Sequence, residues 1–140
     1  MNVLNIEVSD SITPEFALPI ESGLNQYNDE AVGFNENKPL AVVVRDEHGV
    51  VLGGMLGRTY LGLLFIDLVY LPPEIRGKGI GSQILKCVED EGRERGCKTA
   101  VLYTITFQAP AFYEKNGWQR FGEIPCLPEG TSRVFLRKDL

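Results

Sequence analysis

The sequence predicts a mixed α/β fold in one domain, residues 1–140, and three observations carry that prediction. Short β-branched, apolar runs alternate with stretches of helical periodicity along the whole chain. A nearly continuous apolar run, residues 63–71, leads through a glycine-rich turn into an amphipathic stretch and then a further apolar run, the order of a βαβ unit. The 140 residues also suffice to bury a core without a disulfide or a metal.

Taken in order, residues 3–8 alternate apolar and polar side chains and read as a short strand. Residues 14–27 read as one helix, which Pro19 should kink or break. Residues 28–38 are polar and read as a loop. Residues 40–45 and 50–60, joined by the Asp46-Glu47-His48-Gly49 turn, read as a β-hairpin, with Gly53, Gly54 and Gly57 marking a bulge or a close backbone approach. The run 63–71, broken only by Asp67, reads as a central strand covered on both faces.

The amphipathic stretch 79–95 places Ile80, Ile84 and Val88 on one helical face, and Gly96 is suited to end it. Its charged run from Glu89 to Arg95 reads as a solvated face. A parallel partner strand follows at 99–106, then a short helix at 109–115, the Asn116-Gly117 turn, a strand at 118–124, and a last strand at 133–137 that pairs back with it. His48 belongs on the surface, and Tyr60 and Trp118 belong to the core rather than to an acceptor pocket.

Composition removes several function classes. Net charge is −5 and the isoelectric point about 4.9, which argues against a nucleic-acid surface and fits a cationic partner such as an amine. No apolar run approaches the roughly 20 residues that span a membrane, and the first residues lack a basic, then apolar, leader, so the expected compartment is the cytoplasm. Three scattered cysteines and a single histidine predict no metal site, and the thiols read as small hydrophobes.

The most informative segment is Arg76-Gly77-Lys78-Gly79-Ile80-Gly81-Ser82, set between a strand and a helix. Alternating glycines leave backbone N–H groups free to face an anion, the helix N-terminus adds its positive end, and Arg76 and Lys78 add charge. This is a site for phosphate or pyrophosphate. A Walker A loop is excluded, because no Gly-Lys-Ser or Gly-Lys-Thr triplet occurs. A dinucleotide fingerprint fails on glycine spacing and on the missing acid after the next strand. The pattern present is Arg-x-x-Gly-x-Gly at residues 76, 79 and 81.

That pattern, with the Leu71-Pro72-Pro73-Glu74-Ile75 segment before it, resembles the acyl-CoA pyrophosphate loop of the GNAT N-acetyltransferase superfamily. Ala109-Pro110-Ala111-Phe112-Tyr113-Glu114-Lys115-Asn116-Gly117-Trp118 is similar to the second hallmark of that family, and the two stand at the family's usual separation. The resemblance covers about residues 38–138. It implies a central mixed twisted sheet of about six or seven strands flanked by helices, with a splayed parallel pair in the middle. It implies acetyl-CoA as co-substrate and no metal, with Arg76, Gly77, Lys78, Gly79, Ile80, Gly81 and Ser82 at the cofactor's phosphates. Val69, Tyr70 and Leu71 would offer backbone groups, and Phe112 would complete the site. One departure is visible: Thr106 stands where many members carry an asparagine that touches the pantetheine arm, and Gln108 is the candidate substitute.

Acyl transfer to an amine needs a base, a holder for the acyl oxygen, a proton for the leaving sulfur and close placement of both substrates. Tyr113 matches the family tyrosine that serves the sulfur. Asp67, the only acid on its strand, is the candidate base, with pairing to Arg58, Arg45 or backbone amides as the alternative reading; alternation places it on the face of Phe65, Val69 and Leu71. The acceptor is a small-molecule or peptide amine whose identity the residues do not name, and a homodimer partner could complete the cleft. A CoA-binding regulatory module without turnover, or an enzyme for a longer acyl-CoA, are the competing readings.

Overall fold

The computed structural model describes residues 3–33 and 36–140. It divides into two compact units, residues 1–35 and 36–140.

The first unit holds one helix, α1, Pro14–Val32. Thr13 starts it: the residue is extended and its side chain accepts the Phe16 N–H, while Pro14 sits where a missing N–H costs nothing. The helix runs on through Pro19, which leaves the Glu15 carbonyl without its helical N–H partner, and the expected break does not occur. It ends at Gly33, which takes a left-handed conformation and donates its N–H to the Asp29 carbonyl at 2.7 Å. The expected loop therefore begins about five residues later than the sequence predicts. The segment 3–8 is not a strand: it has no ladder partner among the described residues, and alternation without a partner makes no strand.

The second unit is built on a six-stranded mixed sheet: β1 (Lys38–Arg45), β2 (Val51–Tyr60), β3 (Leu63–Tyr70), β4 (Thr99–Ile105), β5 (Gln119–Cys126) and β6 (Thr131–Asp139). Its order is β1-β2-β3-β4-β6-β5, with β3 and β4 parallel and every other pair antiparallel. Two further helices, α2 (Ile80–Glu94) and α3 (Pro110–Lys115), complete it. The predicted hairpin, βαβ unit and closing strand pair are all present, with bounds shifted by a few residues. No helix among the described residues is long and apolar enough to cross a membrane.

The core lies on one face of the sheet. α2 buries Ile84, Leu85 and Val88 against Leu40, Met55, Leu64, Ile66, Leu102, Val134 and Leu136. Within this unit β3 is central but covered on one face only, where the sequence predicts cover on both. Leu64 and Ile66 are buried, whereas everything from Asp67 to Tyr70 is exposed, because that half of the strand borders a cleft.

The charged run at the end of α2 is not simply solvated either. Glu89 is 5% exposed and accepts hydrogen bonds from Trp118 Nε1 at 3.2 Å and Lys138 Nζ at 2.7 Å. Arg95 donates to the Lys38 and Pro39 carbonyls and to Thr59 Oγ1, fastening the helix end to β1 and β2. His48 is exposed in its turn, and Trp118 is core, as predicted.

Candidate active site

The cleft begins where two neighbouring strands part. β3 and β4 are paired only from Leu63 opposite Thr99 to Ile66 opposite Leu102. Beyond Ile66 the register of β3 against β2 slips: Gly57 faces Ile66, Leu56 faces Leu68, and Asp67 is left without a partner. This is a β-bulge, which bends its strand and re-aims a side chain. Gly57 permits it, because a Cβ there would lie 2.0 Å from the Phe65 carbonyl oxygen. β4 meanwhile stays paired with β6 through Ile105 opposite Arg133. The strands splay, and a cavity of about 860 Å³ opens between their C-terminal ends.

The glycine turn forms one wall. Gly79 is the N-cap of α2, left-handed at φ 78°, with no side chain capping the helix. The first-turn N–H groups, which have no partner in their own helix, are thus free for an anion. Arg76 donates Nε to the Leu71 carbonyl at 2.7 Å, tying the turn to the end of β3. Gly81 lies against Leu71 and Phe112: a Cβ there would be 3.2 Å from Leu71 Cδ1 and 3.3 Å from Phe112 Cζ. Arg76, Gly77, Gly79, Gly81 and Ser82 line the cavity together with Val69, Tyr70 and Leu71. Lys78 and Ile80 are not among the lining residues; Ile80 packs on the core instead, as its place on the apolar face of α2 requires.

Phe112, Tyr113 and Gln108 also line the cavity, Phe112 beside the glycine turn. Tyr113 is 4% exposed and stands edge-on to both Phe112 and Trp118. Burial pushes its phenol up to about 12, so it is fully protonated at neutral pH. Gln108 accepts the Ile105 N–H at 2.9 Å and the Thr104 hydroxyl at 3.0 Å through Oε1, which leaves its Nε2 donors for the cavity. Thr106 is engaged elsewhere, exchanging hydrogen bonds with the Ser132 backbone.

Asp67 lines the cavity at the bulge. Its nearest cation is Arg58, Nε to Oδ2 3.7 Å, with side chains 43% and 51% exposed for Arg58 and Asp67 respectively. The carboxylate is therefore not trapped inside a sheet, and its presence in an apolar run is explained by the bulge that turns it outward. The bulge also corrects the expected alternation. Val69 faces buried Met55, on the helix-covered side, while Asp67 reaches Arg58 on the open side.

The lining also includes residues that the sequence did not single out for the site, Tyr103 and Arg133 among them. The Arg133 guanidinium sits 4.3 Å from the centroid of the Tyr103 ring. Alternation along 131–139 could have placed Arg133 on the same face as Phe135 and Arg137, but not beside the cleft, which depends on the pairing of β6 with β4. Tyr60 and Trp118 do not line the cavity.

Comparison with known proteins gives a consistent picture. Residues 6–118 match the family described as Acetyltransferase (GNAT) family. An acetyltransferase from Agrobacterium fabrum is 32% identical over 135 residues, covering 96% of this chain and 98% of that protein. Blasticidin-S acetyltransferase from Streptomyces morookaense is 34% identical over 109 residues, 75% of this chain and 80% of that protein. A crystal structure of an acetyltransferase from Agrobacterium tumefaciens superposes with a TM-score of 0.91 at 31% identity, covering 98% of this chain and all of that one (100%).

Proposed function

Since the chain belongs to the GNAT acetyltransferase family, we propose that it is an N-acetyltransferase working as one catalytic domain. It passes the acetyl group of acetyl-CoA directly to a primary amine of a small molecule or peptide while both substrates are bound. The observation that carries this reading is a single cavity lined by an uncapped glycine turn, a protonated tyrosine and a carboxylate at the strand bulge. A small-molecule acceptor is supported by the Streptomyces relative, a Blasticidin-S acetyltransferase.

The residues fit acetyl-CoA: uncapped helix N–H groups and Arg76 suit its phosphates, and the splayed strands leave backbone donors and acceptors at Val69, Tyr70 and Leu71 for the pantetheine arm and the acyl oxygen. Acetyl-CoA, when bound, supplies an acyl thioester activated toward amines. Gln108 Nε2 takes the part of the missing asparagine. Asp67 accepts the amine proton, directly or through water, and Tyr113 holds a proton at its hydroxyl for the departing sulfur. With the phenol pushed up to about 12 and a thiol near about 8.5, complete transfer from Tyr113 is uphill. Its main contribution is then a hydrogen bond that strengthens as charge gathers on sulfur.

A thiol-release assay over polyamines, aminoglycosides, amino acids and peptide N-termini tests the reading. It predicts release that depends on the amine. Release no faster than the amine-free rate throughout, with acetyl-CoA bound, would favour a CoA-binding module without turnover; a preference for propionyl- or succinyl-CoA would move the reading to a longer acyl donor.

A further inference from the structure

Resting on the acetyltransferase reading, we propose that Arg133 is a specificity-determining residue that binds a carboxylate on the acceptor, so that the amine acetylated is one bearing a carboxyl group, as an amino acid does.

The sheet has two unlike faces around the cleft. Leu102, Thr104, Val134 and Leu136 are buried on the face that α2 covers. Their neighbours Tyr103, Ile105, Arg133 and Phe135 therefore lie on the other face, with Ile105 directly opposite Arg133 and Tyr103 opposite Phe135. Arg58, stacked 4.1 Å over the Phe65 ring and paired with Asp67, occupies that same face on the far side of the gap. The mouth of the cavity thus carries a carboxylate on the β3 lip and a guanidinium on the β4–β6 lip, both lining the same space.

Arg133 is set apart from the other arginines on β-strands near it. Arg58 has Asp67, Arg120 has Glu114 and Glu123, and Arg137 has Asp139. Among the described residues Arg133 has no carboxylate partner and no hydrogen-bond acceptor, in a chain with 19 acidic side chains against 14 lysines and arginines. It is nevertheless positioned, because its Cζ sits 4.3 Å from the centroid of the Tyr103 ring. The cation–π contact takes up none of its N–H donors, and the guanidinium fork matches a carboxylate in a two-pronged hydrogen bond. The glycine turn, which suits the phosphates of acetyl-CoA, begins α2 on the covered face, whereas Arg133 stands exposed on the other. An acceptor spanning the gap would set its amine toward Asp67 and its carboxylate toward Arg133.

The test uses matched acceptors in the thiol-release assay: lysine against cadaverine, ornithine against putrescine, phenylalanine against phenethylamine. The carboxylate-bearing member of the productive pair should have the higher kcat/KM, chiefly through KM. Arg133→Gln should lower that kcat/KM about tenfold to a hundredfold, the range for a hydrogen bond to a charged group. Arg133→Lys, which keeps the charge and loses the fork, should fall between. Equal or better use of the decarboxylated amine, or an unchanged KM in Arg133→Gln, overturns the inference and leaves the acetyltransferase reading standing. No acetylation of any amine by a protein that binds acetyl-CoA overturns both.

Discussion

Replacing Glu89 by glutamine tests how the fold holds the tyrosine helix in place. Glu89, 5% exposed on α2, accepts from Trp118 Nε1 at 3.2 Å and from Lys138 Nζ at 2.7 Å, and Lys138 also donates to the Asn116 carbonyl at 2.8 Å. One side chain thus joins α2 to β6 and to the turn after α3, and Trp118 stands edge-on to Tyr113 at 5.9 Å between centroids. An amide has one accepting atom where the carboxylate has two, so one donor loses its partner. If it is the buried indole N–H, the cost is about 1–3 kcal/mol. If it is the ammonium, 23% exposed and still bonded to Asn116, the cost is nearer about 1 kcal/mol. A loss of about 1–3 kcal/mol in a chain this long lowers Tm by roughly 3–15 °C, at about 3–5 °C per kcal/mol. Urea unfolding of wild type, Glu89→Gln, Trp118→Phe and the double variant measures it. The glutamine should cost at least about 0.5 kcal/mol less in the Trp118→Phe background, since the indole donor is already gone. Stability within about 0.5 kcal/mol of wild type, or strict additivity, refutes the network.

Tyr113→Phe should lower kcat more than it raises KM for acetyl-CoA, and equal turnover from pH 7 to 9 would mean that another group or water serves the sulfur. Because burial raises this phenol from 10.0 to about 12, folding holds its proton more tightly, and its contribution to stability is complete below about pH 10 and lost as pH rises toward 12. Alkaline denaturation should therefore reach the wild type before Tyr113→Phe, and coincident alkaline transitions would contradict the buried, neutral tyrosine. Asp67→Asn should cut turnover about 10²–10⁴-fold, with the deficit shrinking at higher pH where the amine arrives neutral. Its 3.7 Å pair with Arg58 is exposed, so the same change should cost under about 1 kcal/mol of stability; a full loss of Tm with intact kcat would make Asp67 structural.

Much of the second unit was legible because local signals agreed with one another. The hairpin turn at Asp46–Gly49, the apolar face Ile80, Ile84 and Val88, and the glycine turn each sit where periodicity and turn chemistry place them. What escaped depended on pairing between distant segments. Residues 3–8 have the alternation of a strand and no partner, which no local pattern reveals. The bulge at Asp67 is a property of the β2–β3 register, and its traces in the sequence were Gly57 and the acid breaking an apolar run. Glu89 resembles its charged neighbours until Trp118 and Lys138 come in from 29 and 49 residues away. Arg133 reaches the cleft only because β6 inserts beside β4.

The central claim is that the turn before α2 holds the phosphates of acetyl-CoA. Calorimetric titration of acetyl-CoA into wild type, Gly79→Asn and Gly79→Asp tests it most directly. The two variants place side chains of one shape at the same left-handed position and differ in charge, and nothing in the protein lies within 4 Å of the added Cβ. The wild type should bind measurably, and affinity should be at least about tenfold weaker in the aspartate than in the asparagine variant, as repulsion between like charges requires. Equal affinity in all three proteins would contradict it.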